Sequence, residues 1–404
     1  MNFPIVDADT HINEPPDLWE KRMPSKFADR APRVVDRPNG MKAWNFETRQ
    51  MTITPLVNAV GTSPVQWTLY GNSYERGRAG GWDPAARLED MAVDLVGIHV
   101  LFPTYVLAGG PALSKTDREY QLACVRAYND WISEFAAFAP DRLIALGLTP
   151  STGVDDMIVE AKRASKLTGI RGLLLTTWPN GEDHPKHDED DRFWSVAEDL
   201  NLAMIVHVGF QEGGEVETAG EAAEAPPPKD GEKEDRTARI TLPMLNQERQ
   251  AISMIPIMSH FILGGVLDRH PRLRVGAAEV GAGWVPFFLE QTDDNFSRHR
   301  FWTNCKLSML PSEYWKRQCF TTFQLDRYAI RNRDLVGVNT MMWSSDYPHS
   351  GADWPNSRAS IDAQMTGVPE EDRRLILCEN ALRLYGLTPD KMASDPVPAL
   401  ASAR

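Results

Sequence analysis

Asp9 and His11 stand two residues apart where the apolar run Phe3-Pro4-Ile5-Val6 gives way to polar chain. On extended backbone, residues i and i+2 point to the same side, so a carboxylate and an imidazole placed this way form half of a metal site. An isolated Asp-x-His is common, and its Asp can equally cap a turn. Other donors strengthen the metal reading. His207 closes the run Ala203-Met204-Ile205-Val206, Glu279 follows the run ending at Ala278, and Asp346 follows Met341-Met342-Trp343 by way of two serines. Each has an ordinary alternative: His207 as a core imidazole bonded to backbone, Asp346 as a turn cap. Glu279 is harder to explain this way, because a carboxylate at the end of an apolar strand is costly without a partner. Two imidazoles with two or three carboxylates suit one divalent cation, zinc first, or manganese where oxygen donors dominate.

These residues can meet only if the runs that carry them end on the same side of one sheet. Eight apolar runs supply the frame: Ile5–Val6, 98–104, 143–148, 170–175, 203–208, 273–278, 319–324 and 340–343. Amphipathic segments lie between several of them, as in Leu122, Val125, Tyr128, Ile132 and Phe135, which recur at helical spacing. Buried strands alternating with helices call for parallel pairing, and eight of them close a (β/α)8 TIM barrel whose strand ends converge on one rim. An open doubly wound sheet is the competing arrangement, but no glycine-rich phosphate loop follows the first strand.

Two stretches break the rhythm. An N-terminal excursion at about 33–81 is rich in Gly, Pro, Thr and aromatics and reads as short strands and turns near the site. An acidic insertion after strand five, 211–239, holds nine acids, four bases and three consecutive prolines. With few large apolar residues it reads as a surface loop, either simply solvated or a lid over the barrel mouth. The expected organisation is one domain over 1–390, with a C-terminal tail at 391–404.

The balance of 43 basic against 56 acidic residues, −13 overall, argues against a general nucleic-acid or anionic-membrane binder. Four scattered cysteines, Cys124, Cys305, Cys319 and Cys378, read as reduced, buried thiols. With no signal-like or membrane-spanning run, the expectation is a soluble cytoplasmic protein. Trp19, Trp178, Trp284, Trp302 and Trp354 are expected near the mouth, suited to a flat or hydrophobic substrate.

Asp9-x-His11, the His207 position and Trp343-Ser344-Ser345-Asp346-Tyr347-Pro348-His349 together resemble the amidohydrolase superfamily. The branch resembled contains aminocarboxymuconate-semialdehyde, resorcylate and carboxyvanillate decarboxylases. Gly265-Val266-Leu267-Asp268-Arg269-His270-Pro271 and Glu379-Asn380-Ala381-Leu382-Arg383-Leu384-Tyr385-Gly386 support it. The resemblance implies one catalytic divalent ion held by Asp9, His11, His207 and Asp346, with Asp346 also serving as a base. Two departures stand out. Many relatives open with His-x-His, so Asp9 makes this site richer in oxygen. Where the decarboxylases carry His-Gly-Gly-Gly after strand six, this chain has Glu279-Val280-Gly281-Ala282-Gly283, which makes Glu279 the candidate proton-transfer group, with His260 and His349 as alternatives.

The function implied is that of a metal-dependent carboxy-lyase, a non-oxidative decarboxylase of an aromatic or unsaturated carboxylic acid. The alternatives are a hydrolase of the same superfamily, cleaving a C–C, C–N or ester bond through metal-activated water, and a metal-free barrel acting as a binding protein. The expected partners are a small aromatic or carboxylated substrate and further copies of the same chain in a homodimer or larger homo-oligomer, with neither nucleic acid nor membrane.

Overall fold

In chain order the strands are β1 (Val6–Ile12), β2 (Arg33–Asp36), β3 (Lys42–Phe46), β4 (Arg49–Thr52), β5 (Ile98–Pro103), β6 (Leu143–Leu148), β7 (Ile170–Leu174), β8 (Ala203–His207), β9 (Arg274–Ala278), β10 (Cys319–Phe323) and β11 (Met341–Trp343). The computed structural model describes residues 3–37, 41–47, 49–67, 73–106, 113, 116–182, 184–208, 210 and 242–388. The acidic insertion at 211–239 and the tail at 391–404 lie outside the described residues.

Every residue of β1, β5, β6, β8, β10 and β11 is buried. Strands covered on both faces belong to parallel sheets with crossover helices. Eight strands accordingly pair in the order β1-β5-β6-β7-β8-β9-β10-β11, each neighbour parallel to the next. The ring closes through backbone: Asp346 donates its N–H to the Asp9 carbonyl at 3.0 Å, and His11 donates to the Tyr347 carbonyl at 2.6 Å. This is the (β/α)8 barrel that the alternation of runs predicts.

Local signals set the helices. Asp83 accepts the Ala86 N–H and Pro84 occupies the first turn, starting the helix Pro84–Val93. Asp117 caps Arg118–Ala136 through the Tyr120 N–H in the same way.

The excursion forms a separate antiparallel sheet, β2-β3-β4. Its inner aromatics, Trp44 and Phe46, pack on Trp19 with ring centroids 5.0 and 5.8 Å away. The segments that follow border the site directly. Val60 donates to the Pro348 carbonyl, Ser350 to the Leu56 carbonyl and Asn13 to the Gly81 carbonyl.

The tryptophans do not share one place. Trp19 is wholly buried in the core, whereas Trp302 is 76% exposed on the helix Val285–Thr303. Trp284 packs edge-on to Trp315, 5.6 Å away. Tryptophan suits core and surface alike, so its presence in the sequence does not locate a mouth. All four cysteines are free thiols, three buried and Cys305 only partly so. Among the described residues, no helix is long and apolar enough to cross a membrane.

Candidate metal centre

β1 brings in two donors. Its register with β5 shifts between Asp7 and Thr10, and beyond that shift His11 lies opposite Phe102. The His11 Nε2 then stands 3.7 Å from Asp9 Oδ1. The end of β8 supplies His207, whose Nε2 lies 4.0 Å from Asp9 Oδ1 and 3.1 Å from Glu279 Oε2. Glu279 Oε2 is also 3.7 Å from His11 Nε2. The segment after β11 adds Asp346, with Oδ1 3.3 Å from His11 Nε2 and 2.9 Å from His349 Nδ1. Residues more than 330 positions apart in the chain thus meet at one rim.

The outer nitrogens of the two ring donors are already engaged. His11 Nδ1–H donates to the Pro103 carbonyl at 2.8 Å, and His207 Nδ1–H to the Val208 carbonyl at 3.0 Å. Backbone acceptance at Nδ1 sets the tautomer and leaves each Nε2 lone pair facing the cluster, as in imidazoles that bind metals.

Asp9 Oδ1, His11 Nε2, His207 Nε2, Asp346 Oδ1 and His349 Nε2 are all buried without a hydrogen-bond partner. Buried polar atoms are nearly always satisfied, so five orphans in one place mark a missing partner. Among the described residues, donor atoms of Asp9, His11 and His207 lie within 4.8 Å of one another, and so do those of His11, Asp346 and His349. The residues present fit a divalent cation.

The electrostatics agree. Burial, with Glu279 as a like-charged neighbour, raises the Asp9 and Asp346 carboxyls well above the usual range. Burial would also raise Glu279, but its contacts with His11 and His207 outweigh that and hold it below the ordinary range. Burial and the nearby His349 ring push His11 down to about 4. Burial would lower His207 too, yet Glu279 and Asp9 hold it up to about 9. Glu279 and Asp9 thus favour positive charge at this position, and a dication answers that demand.

The backbone is strained where the carboxylates emerge. Glu279 and Asp346 are in the left-handed region, at φ 59° and 62°, an uncommon conformation for side chains of this size. Thr322 on β10 secures the first. Its Oγ1 accepts the Glu279 N–H at 2.8 Å and donates to Asp9 Oδ2 at 3.2 Å. Asp326 Oδ2 accepts the N–H groups of Ala282 and Gly283, fixing the turn beyond. Asp7 secures the second by accepting the Ser345 N–H at 2.9 Å.

Of the candidates read from sequence, Asp9, His11, His207, Glu279, Asp346 and His349 come together. His260 does not join them. It sits on the helix Leu242–Leu263 with its ring edge-on to Trp178, 5.6 Å between centroids. Sequence reasoning passed over Thr322 and Asp7. The repeated acid of Asp7-Ala8-Asp9 was a usable signal for Asp7, whereas a threonine inside a β-branched strand gives none.

The chain matches the family model described as amidohydrolase over residues 6–387. It is 26% identical over 315 residues to 2-amino-3-carboxymuconate-6-semialdehyde decarboxylase of Dictyostelium discoideum, covering 77% of this chain and 78% of that protein. Among solved structures, an amidohydrolase from Mycobacterium avium subsp. paratuberculosis K-10 superposes with a TM-score of 0.73 at 19% identity, covering 96% of this chain and all of that one. 5-Carboxyvanillate decarboxylase from Novosphingobium aromaticivorans, complexed with manganese and 4-hydroxy-3-methoxy-5-nitrobenzoic acid, gives a TM-score of 0.57 at 14% identity over 74% of this chain and 79% of that one. Because the family match starts at the first residue of β1 and takes in all eight strands of the ring, the chain belongs to the amidohydrolase family.

Proposed function

We propose that the chain is a metal-dependent, non-oxidative decarboxylase of an aromatic or unsaturated carboxylic acid. The observation that carries the metal dependence is the set of four buried donor atoms without a hydrogen-bond partner, on Asp9, His11, His207 and Asp346, at one rim. A metal-free binding barrel has no use for them. The decarboxylase reading is supported by the sequence likeness to the Dictyostelium decarboxylase and by the fold shared with the carboxyvanillate decarboxylase.

Asp9, His11, His207 and Asp346 would hold the ion. Glu279, within 3.1 and 3.7 Å of the two imidazoles, would serve as an additional donor rather than as a proton carrier. Three carboxylates against two imidazoles make an oxygen-rich set, which favours manganese over zinc. When bound, a divalent ion supplies Lewis-acid polarisation of a substrate oxygen.

The proton belongs to the Asp346–His349 pair, 2.9 Å apart. As the bond from the ring or enol carbon to the carboxylate carbon breaks, its electron pair stays on that carbon. The pair delivers the proton there, and carbon dioxide leaves. The aromatic wall of Phe102, 5.4 Å from the His207 ring and 5.8 Å from that of His11, keeps water from one side of the donors.

The test is an assay of carbon dioxide release from a panel of hydroxybenzoates and carboxymuconate-like acids, with protein loaded with Mn²⁺ or Zn²⁺. Release is expected. Silence across the panel, with turnover of amides or diketones instead, replaces the decarboxylase reading with the hydrolytic one.

A further inference from the structure

Arg87 lies on the helix Pro84–Val93, outside the ring of strands, and its side chain is wholly buried. A guanidinium seldom occurs there without a carboxylate to pair with. Among the described residues, no acid forms an ion pair with it. Its contacts are of another kind. Nη2 donates to the His11 carbonyl, Nη1 lies 3.4 Å from His99 Nδ1, and the guanidinium stands over the Tyr347 ring, 4.5 Å from its centroid.

These contacts reach both segments that carry the donors. β1 bears Asp9 and His11, and the segment after β11 bears Asp346 and His349, with Tyr347 between them. The His11 N–H bonds to the Tyr347 carbonyl, so Arg87 holds the junction from both sides. Tyr347 is tied in turn by its hydroxyl, which donates to Asp90.

His99 extends the link. Arginine can only donate, so His99 Nδ1 accepts and the imidazole proton sits on Nε2. That nitrogen faces Asp7 Oδ2 at 4.0 Å, and Asp7 Oδ1 accepts the Ser345 N–H next to Asp346. Arg87, His99 and Asp7 are thus lined up in the buried layer beneath the donor cluster, in hydrogen-bond contact at the Arg87–His99 step and 4.0 Å apart at the His99–Asp7 step.

We propose that Arg87 is a positioning residue of the metal centre, whose forked contacts to the His11 carbonyl, His99 and the Tyr347 ring set the spacing between the β1 donors and the Asp346–His349 segment. The inference rests on the metal-site reading above. Loss of an outer partner of a metal ligand typically weakens the metal about 10- to 100-fold.

The experiment compares the unaltered protein with Arg87→Met and Arg87→Lys. It reads Mn²⁺ affinity by titration against a chelator and the visible absorption of the Co²⁺-loaded protein, with near-ultraviolet circular dichroism reporting the fold. Arg87→Met should bind Mn²⁺ at least about tenfold more weakly and shift the cobalt bands, and Arg87→Lys should fall in between. Folded variants with parental affinity and an unchanged cobalt spectrum overturn the proposal. Should Arg87→Met fail to fold, Arg87→Lys decides alone, because lysine keeps the charge but not the fork. Parental behaviour in the lysine variant overturns the proposal, and weaker binding with shifted bands supports it. No substrate is involved, so inactivity toward aromatic acids leaves the inference standing. An unaltered protein that takes up neither ion removes the metal-site reading, and the inference falls with it.

Discussion

Asp346 donates its backbone N–H to the carbonyl oxygen of Asp9 at 3.0 Å, so the last strand of the barrel is joined to the first through two residues whose side chains face the same cluster. Closing the ring and assembling the donors are one event. A change that loosens this seam should be felt at the site before it is felt in the fold.

His207→Ala removes one of the two imidazoles whose tautomer is set by backbone. Metal analysis of the purified variant should show a loss beyond the ~10- to 100-fold that follows removal of an outer partner. Full metal content in the variant would contradict the placement of His207 among the ligands.

Glu279→Gln and His349→Asn should behave differently. Glu279 touches both imidazoles, so its neutral isostere should weaken metal binding and move the preference from manganese towards zinc. His349 pairs with Asp346, so its loss should leave metal content near one equivalent while kcat falls by about 100-fold or more. Metal titration alongside steady-state kinetics separates the two, and identical behaviour of the variants would argue against the assigned roles.

Thr322→Val keeps the shape and deletes the hydroxyl that bridges the Glu279 N–H and Asp9 Oδ2. The buried N–H then loses its acceptor, at a cost of about 1–3 kcal/mol in urea unfolding. Metal affinity should also fall, by about tenfold. An unchanged unfolding midpoint would show that the strained turn at Glu279 does not depend on this bond.

Asp94 gives a pH signature away from the metal. Burial pushes its carboxyl up to about 6, even though it accepts the Ser357 N–H at 3.0 Å. A folded-state value above the unfolded one means that the contribution of Asp94 is fully present below about pH 4 and is lost as pH rises through 6. Asp94→Asn keeps the acceptor oxygen and cannot ionise. Its unfolding free energy should therefore gain on that of the parent between pH 4 and 7 by an amount on the order of 2 kcal/mol, seen as a relative rise in melting temperature. Melting curves that stay parallel across this range would exclude ionisation of a buried Asp94.

Short-range pattern carried much of the outcome. The eight apolar runs and the polar residues that end them are local features, and a strand buried on both faces announces itself by its unbroken run of apolar residues. The barrel, and the rim at which six of the seven candidate residues meet, could therefore be read along the chain, since in a parallel barrel the end of a strand is also its position on the rim. What could not be read depended on contact across space. Arg87, His99 and Asp7 are polar residues inside a helix and two strands, and each gains its meaning from partners tens to hundreds of residues away. Thr322 looks like any β-branched residue until Asp9, 313 positions earlier, is set beside it. His260 carried the right chemistry but lies on a helix with its ring against Trp178. Donor types and strand ends follow from residue order, because they need only periodicity and polarity. Which donors share a cavity, and what holds them there, follows from register, closure and burial, which exist only once distant segments have packed.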